Sequence, residues 1–97
     1  MEFITDKHEI RIAKAVVDAL LAKGWIISVW EAEDWALEHS IDRDQILKAM
    51  GSTVMDKLCA ETDDCDHVGW VMLIWGNGED LISDNTESLT EVLEGIR

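Results

Sequence analysis

Two cysteines and one histidine lie close together in the sequence and have side chains that can hold a transition metal. Cys59, Cys65 and His67 have the spacing C-x5-C-x-H, and Asp63 and Asp66 add carboxylates to the same stretch. Zinc modules differ, because their paired ligands usually stand two to four residues apart. A strand cysteine, a loop cysteine and a histidine at the start of a strand account for these residues without a metal. We therefore expect neither a metal ion nor another cofactor.

The same thiols are candidate nucleophiles, because a thiolate beside a histidine and an orienting acid can carry out covalent catalysis. His39 or His67 would supply the base. Acidic surroundings raise the pKa of a thiol, however, and so disfavour the thiolate that attacks. Paired carboxylates for glycoside or phosphate hydrolysis occur throughout the chain, and no spacing singles out one pair. We expect a protein that is not an enzyme, and keep a Cys/His metal-binding or thiol enzyme as the less favoured alternative.

Glycines flank an asparagine at Gly76-Asn77-Gly78, and Glu79 and Asp80 follow directly. A dinucleotide-binding loop has three spaced glycines and then a helix that receives phosphate, and two carboxylates would repel that phosphate. A calcium loop needs oxygen ligands at alternating positions and a distal glutamate. Asn-Gly between two strands is typical of a tight hairpin, because both residues tolerate a positive φ. We expect a turn.

Charge is the strongest property of the composition. The chain has 21 acidic and 8 basic residues and a formal net charge of −13. Ten of the acids and no lysine or arginine lie between Leu58 and Ile96. Such a field repels nucleic acid and anionic lipid and attracts basic protein surfaces, although solubility alone also explains it.

Tryptophan is over-represented, with five tryptophans, one phenylalanine and no tyrosine. Trp25, Trp30 and Trp35 lie on or beside one predicted hairpin. If that hairpin faces the core on one side only, either Trp30 or the row that contains Trp25 lies near the surface, where tryptophan is enriched at binding hot spots. The candidate partner-binding residues are therefore Trp30 and nine acids: Asp63, Asp64, Asp66, Glu79, Asp80, Asp84, Glu87, Glu91 and Glu94.

Hydrophobic periodicity predicts three helices and five strands. The helices are predicted at 7–23, 43–50 and 86–95, and the strands at 25–31, 35–39, 56–61, 68–75 and 80–83. Asp6 and Asp42 are the expected N-caps of the first two helices, with Glu9 and Gln45 in the capping-box position. A helix through 31–39 is the competitor for the second strand. The order α-β-β-α-β-β-β-α predicts an α+β fold with a largely antiparallel sheet, in one domain spanning 1–97.

Strand 68–75 is apolar on both of its sides. Trp70, Met72 and Ile74 alternate with Val71, Leu73 and Trp75. This pattern indicates a central strand that is covered on both faces, or one that is covered on one face and lies in an interface on the other. In the first helix, the predicted buried arc contains Ile10, Ala13, Val16, Val17, Leu20 and Leu21.

The last predicted helix has an apolar arc of Leu89, Val92, Leu93 and Ile96 and an opposite stripe of Glu87, Glu91 and Glu94. Glutamates toward the C-terminal end of a helix are unfavourable to its dipole. A stripe of regularly spaced carboxylates imitates part of the charge pattern of a nucleic-acid duplex. An acidic solvated helix face is the alternative explanation.

The segments GWVMLIWGNGEDLISDN and WIISVWEAEDWALEHSIDRDQILKAMG carry a resemblance that extends over most of the chain. The chain resembles small uncharacterised proteins encoded by tailed phages and prophages of proteobacteria. Trp75 stands where such relatives have tyrosine. The resemblance implies the context of an accessory phage gene product, and it transfers no functional residue.

The leading hypothesis is a non-enzymatic, acidic interaction protein that binds a basic surface of a host or phage protein. In its sharper form that surface binds nucleic acid, and the chain acts as a nucleic-acid mimic. The alternative is a small structural or homo-oligomeric phage component, for example a homodimer held by the tryptophan-rich sheet. We expect no direct nucleic-acid binding, no membrane association and a cytoplasmic location, in the host cytoplasm if the chain is phage-encoded.

Overall fold

Five antiparallel strands and three α-helices make up the fold in the computed structural model, which describes residues 1–96. The elements are α1 (Lys7–Ala22), β1 (Ile26–Trp30), β2 (Trp35–Ser40), α2 (Arg43–Ala49), β3 (Met55–Glu61), β4 (His67–Ile74), a 3-10 turn (Gly78–Asp80), β5 (Ile82–Asn85), a second 3-10 turn (Glu87–Leu89) and α3 (Thr90–Leu93). The strand order is β2-β1-β3-β4-β5. The predicted α+β class and the order of the helices and strands are confirmed.

Side-chain caps start the first two helices at the predicted residues. The Asp6 carboxylate accepts hydrogen bonds from the backbone N–H groups of His8 (2.8 Å) and Glu9 (3.2 Å). Asp42 does the same for Asp44 (2.9 Å) and Gln45 (3.2 Å). These bonds satisfy backbone donors that have no partner inside the helix, and so they fix where each helix begins.

The buried stripe of α1 is turned slightly from the predicted arc. Ile12 is buried, whereas Ile10 and Leu21 are only partly covered. The other predicted members, Ala13, Val16, Val17 and Leu20, are fully buried. The stripe turns because Glu9 is also buried, so the inward face of the first helical turn is centred on a carboxylate rather than on Ile10.

All three helices pack on one face of the sheet. Alternate strand residues share one buried cluster with the inward residues of α1, α2 and α3; the strand members are Ile27, Val29, Leu58, Ala60, Val71 and Leu73. The strand residues between them lie outside that cluster. The fold is therefore a two-layer α+β sandwich, in which one face of the sheet has no helix of the described residues above it.

The β1–β2 connection is the predicted turn, and the competing helix through 31–39 does not form. The Glu31 N–H donates to the Asp34 carbonyl at 3.0 Å, which returns the chain into β2. β2 pairs with β1 with register shifts, and His39 has a φ of +53°. The Ser28 hydroxyl on β1 accepts a hydrogen bond from the His39 N–H at 2.9 Å. This bond satisfies a backbone donor that the irregular strand pairing leaves free.

The predicted α-helix over 86–95 is wrong for its first part. A 3-10 turn, Glu87–Leu89, comes first, and α3 is only four residues long. The cause is a set of bonds to β4. The Thr86 N–H donates to the carbonyl of Trp70 (3.0 Å), the Trp70 N–H donates to Thr86 Oγ1 (3.0 Å), and Ser88 Oγ donates to the carbonyl of Val68 (2.7 Å).

These bonds hold the segment directly above Gly69. A Cβ added at Gly69 would overlap Thr86 Oγ1 and Ser88 Oγ and would lie 3.2 Å from Leu89 Cγ. Glycine is therefore required here by the close approach of two chain segments, and that approach delays the start of α3.

The Gly-Asn-Gly corner joins β4 and β5, as predicted, but it is not a two-residue hairpin. Asn77 has a φ of −99°, whereas the tight Asn-Gly turn needs a positive value at both residues. Gly76 and Gly78 do have positive φ values, +99° and +58°. The chain makes a 3-10 turn before the strand pairing is resumed by a hydrogen bond from the Ile74 N–H to the Leu81 carbonyl at 2.9 Å. The return strand consequently starts at Ile82 rather than at the predicted 80.

Candidate functional site

We call the face of the sheet away from the helices the open face. It carries a largely apolar cluster of six side chains: Trp30 on β1, Met55 and Lys57 on β3, and Trp70, Met72 and Ile74 on β4. All six side chains are partly exposed, and the five apolar ones do not pack against the buried core cluster. Helices of the described residues therefore cover only one side of the fourth strand, so its two-sided apolarity does not come from coverage on both faces. The alternative explanation, an interface on the other face, stays a prediction.

Strand register places a continuous row of side chains across the open face. Trp30 pairs with Lys57, Lys57 with Met72, and Met72 with Asp84 on β5. Trp35 on β2 extends the row, since its ring contacts Trp30 edge to face with a centroid distance of 5.0 Å and an interplanar angle of 73°. Edge-to-face geometry is a favoured aromatic arrangement and holds both rings in place.

Lys57 is the basic residue of this row. Its Nζ lies 5.1 Å from the ring centroid of Trp70, within the range of a cation–π contact. The long aliphatic stem of the lysine covers part of the sheet while the ammonium group stays near water. Trp70 thus presents its ring to a cation of its own chain.

Of the predicted site residues, Trp30 is on the open face and Asp84 is at the edge of that face. Trp25 was the alternative candidate for a tryptophan near the surface, and it packs against the core instead. The other predicted acids do not converge on one patch. The β3–β4 loop holds Asp63, Asp64 and Asp66 at one end of the sheet, and the β4–β5 connection holds Glu79 and Asp80 at the other.

The two acidic ends are separated by the length of β4. Eight residues of extended chain span about 27 Å, so these carboxylates form two groups rather than one. The remaining predicted acids, Glu87, Glu91 and Glu94, lie in the segment that crosses to the helix layer. They do not form a stripe on one regular helix, because a 3-10 turn separates Glu87 from α3.

All nine predicted partner-binding acids are exposed. The ion pairs within residues 1–96 lie elsewhere: Arg43 with Asp18 at 2.5 Å, and His39 with Glu61 at 3.7 Å. Exposed basic residues lie on the helix layer, where Lys7, Arg11 and Lys14 follow the outward side of α1. Carboxylates therefore surround the open face, whereas basic residues follow the outward side of α1.

The two cysteines are free and lie in different environments. Cys59 is half-buried on the open face, opposite Trp70 in the register, and burial raises the pKa of its thiol. Cys65 is exposed in the β3–β4 loop with a φ of +66°. Within the part of the chain that the structure describes, no group of three or more His, Cys, Asp or Glu side chains is arranged to hold a metal ion.

The Gly-Asn-Gly corner does bind an anion, but the anion belongs to the chain itself. Oε2 of Glu9 accepts hydrogen bonds from the backbone N–H groups of Gly76 (2.7 Å) and Gly78 (3.1 Å). Backbone N–H groups that converge on one oxygen in this way form a small anion-binding concavity. Glu9 therefore ties α1 to the β4–β5 connection and is not the second half of a capping box with Asp6.

A second internal carboxylate lies on the core side of β3. Asp56 is fully buried, and its Oδ2 accepts hydrogen bonds from the Gly51 N–H and from Trp75 Nε1, both at 2.7 Å. Its Oδ1 is also buried and has no hydrogen-bond partner among the described residues. Burial raises the pKa of the Asp56 carboxyl, and the two donated hydrogen bonds offset part of that effect.

Sequence reasoning gave an interface on the outward side of β4 only as one of two alternatives, and among the candidate partner-binding residues it named only Trp30 from the open face. A signal existed, since Trp70, Met72 and Ile74 alternate with residues that are as apolar as they are. That alternation shows two apolar sides without showing which one the helices cover. Glu9 and Asp56 gave no signal, because their partners are backbone or indole N–H groups far away in the sequence.

Comparison of the chain with protein-family models, with curated proteins and with solved structures finds no match. Among the described residues, none of the helices has the length and apolar character needed to cross a membrane. The geometry of the surface is therefore the basis for a functional proposal.

Proposed function

We propose that this chain is a non-enzymatic interaction protein that binds a basic surface of another protein. The observation that carries the proposal is the set of nine exposed carboxylates at 63–94, none of which has an ion-pair partner among residues 1–96. Carboxylates that form no internal ion pair keep their attraction for an external cation, and a field of one sign speeds association with a partner of the opposite sign.

The repulsion within this acidic half also supports the proposal. Exposed like charges at 79 and 80, and at 63, 64 and 66, repel one another and weaken the folded state slightly. A basic partner surface would relieve this repulsion on binding. A phage accessory protein that acts on a host or phage protein fits this chemistry, and proteins that bind nucleic acid are one class with suitably basic surfaces.

The nucleic-acid-mimic form of the proposal has less support than it had from the sequence. It relied on a regular stripe of Glu87, Glu91 and Glu94, and α3 has only four residues. The two acidic ends of the sheet remain as separate contacts, about 27 Å apart by the length of β4. We therefore propose recognition of a basic protein surface at more than one point, without a continuous imitation of a duplex.

Affinity capture at two salt concentrations tests the proposal. The immobilised protein is incubated with host lysate at about 50 mM and at about 500 mM salt, where screening lengths differ roughly threefold. A variant with Asp63, Asp64, Glu79 and Asp80 changed to Asn or Gln is the test. The matched control neutralises four exposed acids outside the proposed set: Glu2, Glu33, Glu38 and Asp44.

We expect basic proteins to be retained at low salt and released at high salt. The test variant should lose most of this binding, and the control variant should keep it. Equal loss in both variants would reduce the effect to total charge and would contradict a specific surface. Absence of any salt-sensitive partner would remove the proposal.

A further inference from the structure

We propose that the open face is the docking surface for a protein segment that carries apolar side chains flanked by lysine or arginine. This inference rests on the proposed function for the charge of the partner, and it adds the place where the partner binds and the apolar half of its chemistry.

The apolar half follows from what covers each face of the sheet. On the core face, Leu58, Val71 and Leu73 are completely buried. On the other face, Trp30, Trp70, Met72 and Ile74 remain partly exposed. Trp70, Met72 and Ile74 follow one another on the outer side of β4, and Trp30 lies across Lys57 from Met72. Exposed apolar patches bordered by polar residues mark interaction sites on soluble proteins. Tryptophan and methionine are also among the residue types enriched in interface centres.

The basic half follows from the charges around that patch. Asp84 ends the row that crosses the patch, and Glu61 lies on the same side of β3 as Lys57. The acidic β3–β4 loop adjoins one end of the patch, and Glu79 and Asp80 adjoin the other. Lys57 is engaged by the Trp70 ring. A partner with an apolar centre and a basic rim is complementary to this arrangement.

A second copy of the chain fits the same surface poorly. Each copy has a formal net charge of −13, so two open faces would bring two acidic rims together. The face is also small. Five strands of about six residues each cover roughly 500 Å² in projection, whereas a stable interface buries roughly 800 Å² of each partner. A small apolar patch that needs complementary charge around it suits a transient complex with a basic partner.

Three synthetic peptides test both halves of the inference. The first has leucine and isoleucine at its centre and lysine and arginine at both ends. The second keeps the basic ends and has a serine and glycine centre, and the third keeps the apolar centre and has glutamate ends. Binding to the full chain is measured by isothermal titration at low and high salt.

We expect the first peptide to bind most tightly and to weaken as salt is added, the second to bind more weakly, and the third not to bind. Trp70→Ala should weaken the first peptide about thirtyfold, the usual loss for a central hot-spot tryptophan. The matched control is Ile41→Ala, since Ile41 is equally apolar, 72% exposed and outside the sheet. It should leave binding unchanged.

Cysteine alkylation gives the same answer in the unaltered protein, and so it does not depend on how well a variant folds. Cys59 lies on the open face and Cys65 lies in the loop, so the chain contains both the probe and its control. The first peptide should slow the alkylation of Cys59 several-fold. The alkylation rate at Cys65 should change much less, because Cys65 is exposed beside the basic ends of the bound peptide and not beneath its centre.

Each other outcome overturns the inference in a recognisable way. If both basic peptides bind equally and Trp70→Ala has no effect, the acidic surface binds basic partners but the open face does not, and the proposed function survives alone. If neither basic peptide binds, the proposed function fails as well. If sedimentation shows a dimer in which Cys59 is protected without peptide, the occupant is a second copy.

Discussion

The two faces of the sheet have nearly the same apolar content along β4 and opposite surroundings. On one side Val71 and Leu73 are completely buried beneath the helices. On the other side Trp70, Met72 and Ile74 have no helix of the described residues above them and are bordered by carboxylates. One face stabilises the fold, and we propose that the other binds a partner. Hydrophobic content alone therefore does not distinguish a core from an interface in this chain.

Neighbouring residues on β4 give the largest expected difference between the two faces. Leu73→Ala leaves a cavity in the core and should lower the free energy of unfolding by about 2–5 kcal/mol. Met72→Ala, one residue earlier on the open face, should cost roughly 1 kcal/mol or less, because its side chain is already partly in water. Urea unfolding followed by tryptophan fluorescence measures both. Similar losses would show that the open face is covered in solution.

Gly69→Ala tests the close contact between β4 and the segment above it on the helix side. The added methyl group would collide with Thr86 Oγ1 and Ser88 Oγ, whose hydrogen bonds to β4 would have to shift. We expect a loss of about 1–3 kcal/mol, the usual cost of overpacking. Gly95→Ala is the control, since a Cβ there meets nothing within 4 Å. An equally stable Gly69→Ala protein would mean that this segment is not held against β4.

Two glutamates near the β4–β5 connection allow an internal carboxylate, Glu9, to be compared with a surface carboxylate, Glu79. Glu9→Gln replaces a charged acceptor of two backbone hydrogen bonds with a neutral one and should cost about 1–2 kcal/mol. Glu79→Gln changes an exposed side chain and should leave the stability within about 0.5 kcal/mol. Thermal unfolding at neutral pH compares the two. Equal melting temperatures would contradict the clamp between α1 and the Gly-Asn-Gly corner.

Burial of Asp56 predicts a pH dependence of the folding stability. Burial raises its folded-state pKa above the ordinary value of 3.8, so the folded protein holds this proton more tightly than the unfolded chain does. The resulting stability is fully present below the ordinary value and is lost as the pH rises through the folded-state value, with a slope of at most about 1.4 kcal/mol per pH unit.

The difference in unfolding free energy between the unaltered protein and Asp56→Asn should therefore vary with pH across that acidic window. Asp64→Asn, in the exposed β3–β4 loop, is the control for the removal of one carboxylate. Urea titrations at a series of pH values provide the comparison. Parallel pH profiles for the protein and Asp56→Asn would show that Asp56 is not desolvated as the structure indicates.

Local patterns were sufficient to predict the fold, and long-range partners account for what they missed. The caps at Asp6 and Asp42 depend on neighbouring residues, and both are as predicted. The 3-10 turn before α3 depends on bonds from Thr86 and Ser88 to β4, and intrinsic helix preference says nothing about these.

The residue types of the candidate site could be predicted from the sequence, but their arrangement in space could not. Counting charges along the sequence identified the acids, and all nine are exposed. Their separation into two ends of the sheet required the strand order. Which side of β4 remains open depends on the packing of three helices, each far from β4 in sequence or separated from it by a turn, and no pattern within β4 contains that information.

The five tryptophans allow the most direct test, because they divide between the two faces. Trp30, Trp35 and Trp70 belong to the open face or contact it, whereas Trp25 packs against the core and Trp75 donates its indole N–H to buried Asp56. Indole N–H resonances are recorded by NMR while the peptide with basic ends and an apolar centre is added. Docking on the open face predicts that the signals of Trp30, Trp35 and Trp70 shift while those of Trp25 and Trp75 stay in place. Peptide binding that leaves the first three signals unchanged, or that moves all five alike, would contradict it.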